Sequence, residues 1–175
     1  MASVLQFALL MIFPAMVVVG ALRDLTSFTI PNWISAVLIL GFLPAALAGG
    51  VSLEAFGGHL LVGFLALVAG MGMFALRWIG GGDAKLFAAA ALWLGPAAVL
   101  PYVLFTACAG GALAMALLSL RSPLFRPYVM AGPAWFGRLA DPGENVPYGV
   151  AIAAGALFAF PASALMQAWG GLAGI

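Results

Sequence analysis

The chain has 175 residues, of which 66% are hydrophobic and 6% are charged, and its formal net charge is +1. Soluble domains are about 45–50% apolar and about 25% charged, so this composition excludes an ordinary soluble protein and predicts an integral membrane protein. So small a net charge does not indicate a nucleic-acid partner, and we expect none. The single cysteine, Cys108, excludes an internal disulfide and a zinc site built from several thiolates, and no metal or organic cofactor is expected.

Six apolar segments are long enough to cross a bilayer, which takes about 20 residues of helix. They are Val4 to Leu22, Ile30 to Ala48, Gly57 to Trp78, Ala84 to Leu100, Tyr102 to Leu120 and Tyr148 to Trp169. Only the region from Gly95 to Pro101 separates the fourth segment from the fifth, so a count of five stays open. We predict an all-α bundle of six transmembrane helices, forming a single membrane domain over residues 1–175.

The basic residues all fall in the first, third and fifth connections between these segments. They are Arg23 in the first, Arg77 and Lys85 bounding the third, and Arg121, Arg126 and Arg138 in the fifth. Cytoplasmic loops of membrane proteins carry an excess of Lys and Arg, so the odd connections are predicted to be cytoplasmic and both termini non-cytoplasmic. This orientation puts Asp24 and Asp83 on the same cytoplasmic side.

The two aspartates are the main candidates for chemistry. Ionisable groups at membrane depth are costly and mark functional sites by default. Two carboxyl groups that lie close together cannot both ionise readily, so one keeps a proton while the other is charged. That pair can hydrolyse a peptide, because the ionised group activates water and the protonated group donates to the carbonyl oxygen. We therefore predict that Asp24 and Asp83 are catalytic.

The residues around the two aspartates suggest supporting roles. Three glycines, Gly80 to Gly82, precede Asp83 and are expected to reach backbone conformations closed to other residues, to admit substrate and to hold it extended by strand addition. Pro31 is suited to the first turn of the second helix. Lys85 is expected either to help substrate or the acid pair, or to anchor a helix end by extending its charge to the interface.

Three sequence elements carry a resemblance to a known family. They are Ile30-Pro31-Asn32 after the first aspartate, Gly80-Gly81-Gly82-Asp83-Ala84-Lys85-Leu86 around the second, and Val146-Pro147-Tyr148-Gly149-Val150-Ala151-Ile152 near the end. In this order they resemble the type IV prepilin peptidases, membrane aspartyl proteases of the GxGD class. The resemblance implies that Asp24 and Asp83 are the catalytic aspartates. It also implies motif-supporting or substrate-binding roles for Gly80, Gly81, Gly82, Lys85, Pro31 and Asn32.

The resemblance also implies a substrate and a location. The enzyme would be a multi-pass protein in the lipid of the inner membrane, and it would cut the basic leader from prepilin or pilin-like precursors on the cytoplasmic side. Larger members carry a cysteine-paired loop and an N-methyltransferase function. This chain lacks the loop and its cysteines, so we expect the short, peptidase-only form that serves Flp (tad-type) pilus systems.

Two alternatives stay open. An archaeal preflagellin-type peptidase is the nearest sibling, and a small proton-coupled transporter could also use two membrane acids. Transporters of that kind place their charges near the midplane and show repeated halves, whereas these acids are predicted at the interface and no repeat is evident. The motifs Gly-x-Ser-x-Gly and His-Glu-x-x-His, typical of serine hydrolases and zinc proteases, are absent. His59 is predicted to be a structural or interfacial residue rather than a metal ligand, and Asp141 and Glu144 are predicted to be solvated loop charges.

Overall fold

The computed structural model describes residues 2–141 and 143–173, and within that part of the chain it contains helices and no strand. The all-α prediction is confirmed. The helices are α1 (Ala2–Ser27), α2 (Asn32–Ala48), α3 (Leu53–Ala75), α4 (Gly81–Leu120), α5 (Arg126–Met130), α6 (Ala134–Leu139), α7 (Tyr148–Ala159) and α8 (Ala164–Ala173).

Three of these helices are long and apolar enough to cross a membrane, namely α1 over Val4–Ser27, α3 and α4. Helix α2 and the stretch Tyr148–Ala162 are apolar but shorter. Large apolar side chains cover the outer surfaces, as at Leu40, Leu47 and Phe64, which are all more than half exposed. Such wide apolar exposure suits contact with lipid rather than water. The count of six crossings and the orientation of the termini stay predictions.

The fourth and fifth predicted segments form one helix, α4, that turns back on itself at Gly95. Its backbone angles there, φ 64° and ψ −171°, are not helical. The rings of Phe87 and Tyr102 stack with centroids 5.0 Å apart, although 15 residues of continuous helix would separate them by about 22 Å. The two halves, 81–94 and 96–120, therefore lie side by side. The reversal comes at the first residue of the region that the sequence marked as the boundary.

His59 stabilises this reversal. The carbonyl of Leu92 would normally accept from the N–H of residue 96, but that residue is Pro96 and has no N–H to donate. Instead Nδ1 of His59, on α3, lies 2.8 Å from the Leu92 oxygen and is the donor, since a carbonyl can only accept. The imidazole is fully buried. The structural role predicted for His59 is confirmed.

Several helix ends differ from the predicted bounds near the acids. Helix α1 continues past Leu22 to Ser27, so Asp24 lies in its last turns, and it stops where Phe28 takes a positive φ of 53°. Helix α2 starts at Asn32, and Pro31 is the capping residue before it rather than part of its first turn. Rigid proline geometry fits that extended cap position as well as it fits the first turn, which is why the prediction missed by one residue.

The last predicted span is interrupted. Helix α7 ends at Ala159, and a 3₁₀ turn, Phe160–Ala162, separates it from α8. Pro161 cannot donate the next helical hydrogen bond, and the hydroxyl of Ser163 accepts from the N–H of Met166 to start the new helix. The predicted segment from Tyr148 to Trp169 is thus two helices with a bend between them.

The core brings the ends of α1 and α4 together through α7, which packs against both. The ring of Phe13 on α1 lies 4.6 Å from that of Phe160 and 5.5 Å from that of Trp93 on α4. Trp93 also donates its indole N–H to the Leu38 carbonyl of α2 at 2.7 Å. Because these contacts fix α1 and α4 relative to each other, the acids near their adjacent ends are held in one place.

Candidate active site

Asp24 is buried near the end of α1 and depends on α7 for a hydrogen bond. Its side chain is 5% exposed, and its Oδ2 accepts from the N–H of Gly149 at 2.7 Å. Gly149 is the second residue of α7, so this N–H belongs to the set that has no partner within its own helix. A carboxyl oxygen and a helix N–H that lacks a partner in its own helix therefore pair, although they are 125 residues apart in sequence.

Asp83 occupies the third position of α4 and is 9% exposed. Its Oδ2 accepts from the N–H of Gly80, the residue that caps the helix, at 3.1 Å. The other oxygen, Oδ1, is buried and makes no hydrogen bond within the described part of the chain. Buried polar atoms normally have a partner, and one without a protein partner marks a place for water or a ligand.

The two acids share a cavity, which we call the acid cavity. It has a volume of about 600 Å³, and its lining includes Asp24, Asp83, Phe28, Arg77, Glu144 and Tyr148. A second, smaller cavity of about 240 Å³ is lined by both acids and by Gly80, Gly81 and Gly82. The two carboxyl groups are close enough for Asp24 to act electrostatically on Asp83. The prediction that two distant aspartates meet on one side of the protein is thus matched by the fold.

The three glycines lie at the site, but their conformation is not the expected one. Gly80 is extended, with φ −73° and ψ 155°, while Gly81 and Gly82 already belong to α4. None of the three has a positive φ, so the expectation of a left-handed backbone was wrong. The template idea fails as well, because the Gly80 N–H donates to Asp83 and its carbonyl accepts from Ala84.

Close packing explains Gly82 instead. A Cβ atom placed there would lie 3.0 Å from Cβ of Ile30 and 3.1 Å from the Ile30 carbonyl oxygen. Gly81 has more room, since its nearest neighbour would be the ring of Phe74 at 3.4 Å. The first turn of α4 can therefore lie directly on the connection between α1 and α2, and this contact holds Asp83 near Asp24.

Lys85 and Asn32 lie apart from the acids. Nζ of Lys85 donates to Oδ1 of Asn32 at 2.9 Å, and both residues line a different cavity, between α2 and α3. Neither lines a cavity that contains Asp24 or Asp83. Lys85 is not brought to the acid pair, because it points from another side of α4 than Asp83. Its predicted roles in substrate binding or as a helix-end anchor, and the supporting role of Asn32, stay predictions.

Gly149 was not predicted to be a site residue, although the segment Val146 to Ile152 that contains it is one of the three elements of the resemblance. A Cβ atom at this position would lie 2.9 Å from Cβ and 2.9 Å from Oδ2 of Asp24. Only glycine lets the backbone approach the carboxylate this closely. The sequence indicates a helix start at Tyr148-Gly149. It does not show that the Gly149 N–H donates to Asp24, because that contact depends on how the helices pack.

Two strained residues in the acid cavity were also not predicted from the sequence. Phe28 and Arg77 are the non-glycine residues of the described chain that have positive φ, at 53° and 61°, and both line the cavity. This conformation costs about 1–2 kcal/mol. In both cases the positive φ comes just after the end of a long helix, α1 for Phe28 and α3 for Arg77.

Two arginines hold one wall of the cavity. Arg138 forms an ion pair with Glu144 at 2.6 Å, and its guanidinium lies 4.7 Å from the centre of the Phe28 ring. Arg121 donates to the carbonyls of Leu139 and Glu144 at 3.0 and 2.9 Å. Glu144 is thus held from two sides, by Arg138 at its carboxylate and by Arg121 at its main-chain carbonyl, while its side chain stays 28% exposed.

Within residues 2–141 and 143–173, no three His, Cys, Asp or Glu side chains lie close enough together to hold a metal ion. The acid cavity therefore offers two carboxylates, the Glu144 carboxylate, one guanidinium and aromatic surface. A pair of buried carboxyl groups beside a polar cavity can activate water and protonate a carbonyl.

The type IV leader peptidase family model matches residues 11–115 of the chain. The chain belongs to this family. The matched region contains both acids, the glycines before Asp83 and the connection that packs on them, while Gly149 lies beyond it. Comparison with curated proteins gives no significant match, and comparison with solved structures gives none either. As a member of the leader peptidase family the protein is a peptidase. This agrees with the resemblance that the three sequence elements carry.

Proposed function

We propose that this leader peptidase is an aspartic-type endopeptidase that removes the N-terminal leader from prepilin or pilin-like precursors. The reaction takes place at the cytoplasmic face of the inner membrane, and the new N-terminus is not methylated. The observation that carries the proposal is the meeting of Asp24 and Asp83 in one cavity, from helices far apart in sequence. Membership of the type IV leader peptidase family supports it.

The hydrogen bonds of the two acids suit this chemistry. Each carboxyl group has its Oδ2 held by a main-chain N–H, from Gly149 in one case and from Gly80 in the other. This leaves the other oxygen of each group for the reaction. The ionised carboxylate removes a proton from water, and the hydroxide adds to the carbonyl carbon while the protonated carboxyl group donates to the carbonyl oxygen.

Collapse of the tetrahedral intermediate then breaks the peptide bond. The C–N bond breaks, the amine nitrogen takes up the proton that came from water, and the oxygen returns its proton to the second acid. The products are the leader with a new carboxylic acid and the mature precursor with a new amine, and the acid pair ends with one proton as it began. The carboxylic acid then gives its proton to the amine. Loss of either acid removes a step worth about 10²–10⁴ in rate.

The test is cleavage of a purified precursor in liposomes that contain this protein alone. The precursor should have a basic leader followed by one apolar span, and products are identified by mass. We expect two fragments whose masses sum to the precursor plus one water, with no added methyl group in the presence of S-adenosylmethionine. An intact precursor would contradict the proposed substrate, and a methylated product would contradict the peptidase-only assignment.

The same liposomes distinguish the alternatives. A preflagellin presented beside the prepilin shows which precursor is cut faster, and we expect the prepilin. A pH-sensitive dye inside the vesicles reports proton flux, for which we expect no increase over empty vesicles. Proton flux without cleavage would favour a transporter.

A further inference from the structure

An apolar groove runs between α2 and α3 on the side of α4 away from the acid cavity. Helices α2 and α3 both pack on α4, and they contact each other at one end, where the Phe42 ring lies 5.6 Å from that of Phe56. The gap between them has a volume of about 540 Å³. Its walls include Ile39, Leu60 and Phe64, and its floor is formed by Ala88 and Ala89. Alanine carries only a methyl group, so the floor leaves room between the two helices.

One end of the groove is polar. Lys85 and Asn32 lie there, joined by the 2.9 Å hydrogen bond from Nζ to Oδ1. Lys85 is the charged residue of the lining, and its ammonium has three N–H donors. The bond to Asn32 uses one of them and fixes the position of the ammonium, so two donors are left for an anion at the mouth of the groove.

We propose that this groove binds one anionic phospholipid, with its phosphate on Lys85 and an acyl chain along the alanine floor. A basic residue at the end of a gap between transmembrane helices suits an anionic headgroup. The volume favours an acyl chain over a protein helix. A helix is about 10–12 Å across with its side chains and rises 5.4 Å per turn, so 540 Å³ holds only about one turn.

The proposal does not depend on peptidase activity. The lipid site and the acid cavity lie on different sides of α4 and share no lining residue. A lipid that binds the folded protein and not the unfolded chain raises the temperature of unfolding. Binding and thermal stability can therefore be measured without any precursor.

The experiment compares dioleoyl-phosphatidylglycerol with dioleoyl-phosphatidylcholine, each added to the detergent-purified protein. Native mass spectrometry counts retained lipids, and a thermal scan gives the shift in unfolding temperature. We expect one tightly retained phosphatidylglycerol and a larger stabilisation than with phosphatidylcholine. Inorganic phosphate alone should give no stabilisation, because the acyl chain supplies most of the buried apolar surface.

Two variants test the two halves of the site. Lys85→Gln should weaken phosphatidylglycerol binding about fivefold, which is the effect of one basic residue on an anionic lipid. Its control is Arg126→Gln, which removes an exposed charge elsewhere and should leave phosphatidylglycerol binding unchanged. Ala36→Phe places a ring in the groove and should prevent retention, while the same change at the exposed Ala112, outside the groove, should not.

Equal binding of both lipids, or phosphatidylglycerol binding that survives both Lys85→Gln and Ala36→Phe, would overturn the proposal. So would retention of the apolar span of a precursor that is lost with Ala36→Phe, because a protein segment would then be the occupant. A catalytically inactive protein that still shows the lipid selectivity would refute only the proposed function.

Discussion

Asp24 owes its orientation to a glycine on another helix. The Gly149 N–H donates to its Oδ2 at 2.7 Å, and the glycine backbone lies against the side chain with no room for a further carbon. A carboxylate held at one oxygen presents the other in a fixed direction. In a reaction that needs two acids aligned on one carbonyl, such positioning is worth as much as the acids themselves.

We therefore predict that Gly149→Ala strongly reduces cleavage although both acids remain. The added methyl group would lie 2.9 Å from Asp24 Oδ2 and must displace it, and a shift of about 1 Å in a catalytic group can cost about 100-fold in rate. The measurement is the initial rate of precursor cleavage beside a thermal scan.

Gly111→Ala is the control for Gly149→Ala, since a Cβ at Gly111 meets nothing within 4 Å. It should retain full activity. Normal cleavage by Gly149→Ala would show that this hydrogen bond does not orient the acid.

The acids could be predicted from the sequence, whereas Gly149 could not. Asp24 and Asp83 stand out because charged residues make up only 6% of a strongly apolar chain. Gly149 looks like any of the 23 glycines, and its importance comes from an atom 125 positions away. Arg138 and Phe28 escaped prediction for the same reason, since their contact joins two connections that are remote in sequence.

At the scale of secondary structure, the start of α4 differs from what the sequence predicted. The glycines before Asp83 were expected in an extended strand with unusual backbone angles, but two of them are helical. The glycines lie at the site as predicted, but the conformational reason given for them was wrong. What requires glycine is the short distance between Gly82 and Ile30, which is a contact between elements and has no signature in local sequence.

This distinction predicts opposite effects for two neighbouring substitutions. Alanine is a better helix former than glycine by up to about 1 kcal/mol, so Gly81→Ala should leave the unfolding temperature unchanged or raise it. Gly82→Ala crowds Ile30, and overpacking costs about 1–3 kcal/mol, so it should lower both stability and cleavage, and Gly82→Val more so. Thermal scans and cleavage rates of the three variants check this. Equal behaviour at the two positions would rule out the packing explanation.

The reversal within α4 rests on Gly95, which has a positive φ and lies against His59. A Cβ there would come within 2.5 Å of Cε1 of the imidazole. We predict that Gly95→Ala is poorly folded, because it strains the backbone and displaces the donor to Leu92 at once. The measurement is monodispersity and thermal stability in detergent. Gly57→Ala on α3, where a Cβ meets nothing within 4 Å, is the control and should behave as the parent.

The whole molecule brings together parts that the sequence describes separately. Apolar segments, prolines and the boundary near Gly95 predicted most of the helices. They could not show that α7 packs against both α1 and α4, because helix packing depends on which faces fit and not on hydropathy. That arrangement is what places the acids in one cavity, and it also leaves a gap between α2 and α3 on the other side of α4.

The predicted orientation in the membrane rests on the positions of the basic residues, and it can be tested by labelling. In a chain with Cys108 replaced by alanine, a cysteine at the exposed Tyr128 should react only with reagent from the cytoplasm. A cysteine at the exposed Glu54 should react only from the opposite side. Impermeant maleimides applied to intact cells and to inverted vesicles measure this. The reverse pattern would place the acid cavity on the outer face.

The central claim is that Asp24 and Asp83 form the acid pair that cuts the precursor, and its most direct test is single substitution of each by asparagine. In liposomes with a prepilin, we predict that Asp24→Asn and Asp83→Asn each lower the cleavage rate by about 10²–10⁴-fold. Glu54→Gln, an exposed acid on α3 outside the acid cavity, should cleave at the parent rate. All three should insert and unfold like the parent. Normal processing by either asparagine variant would contradict the account.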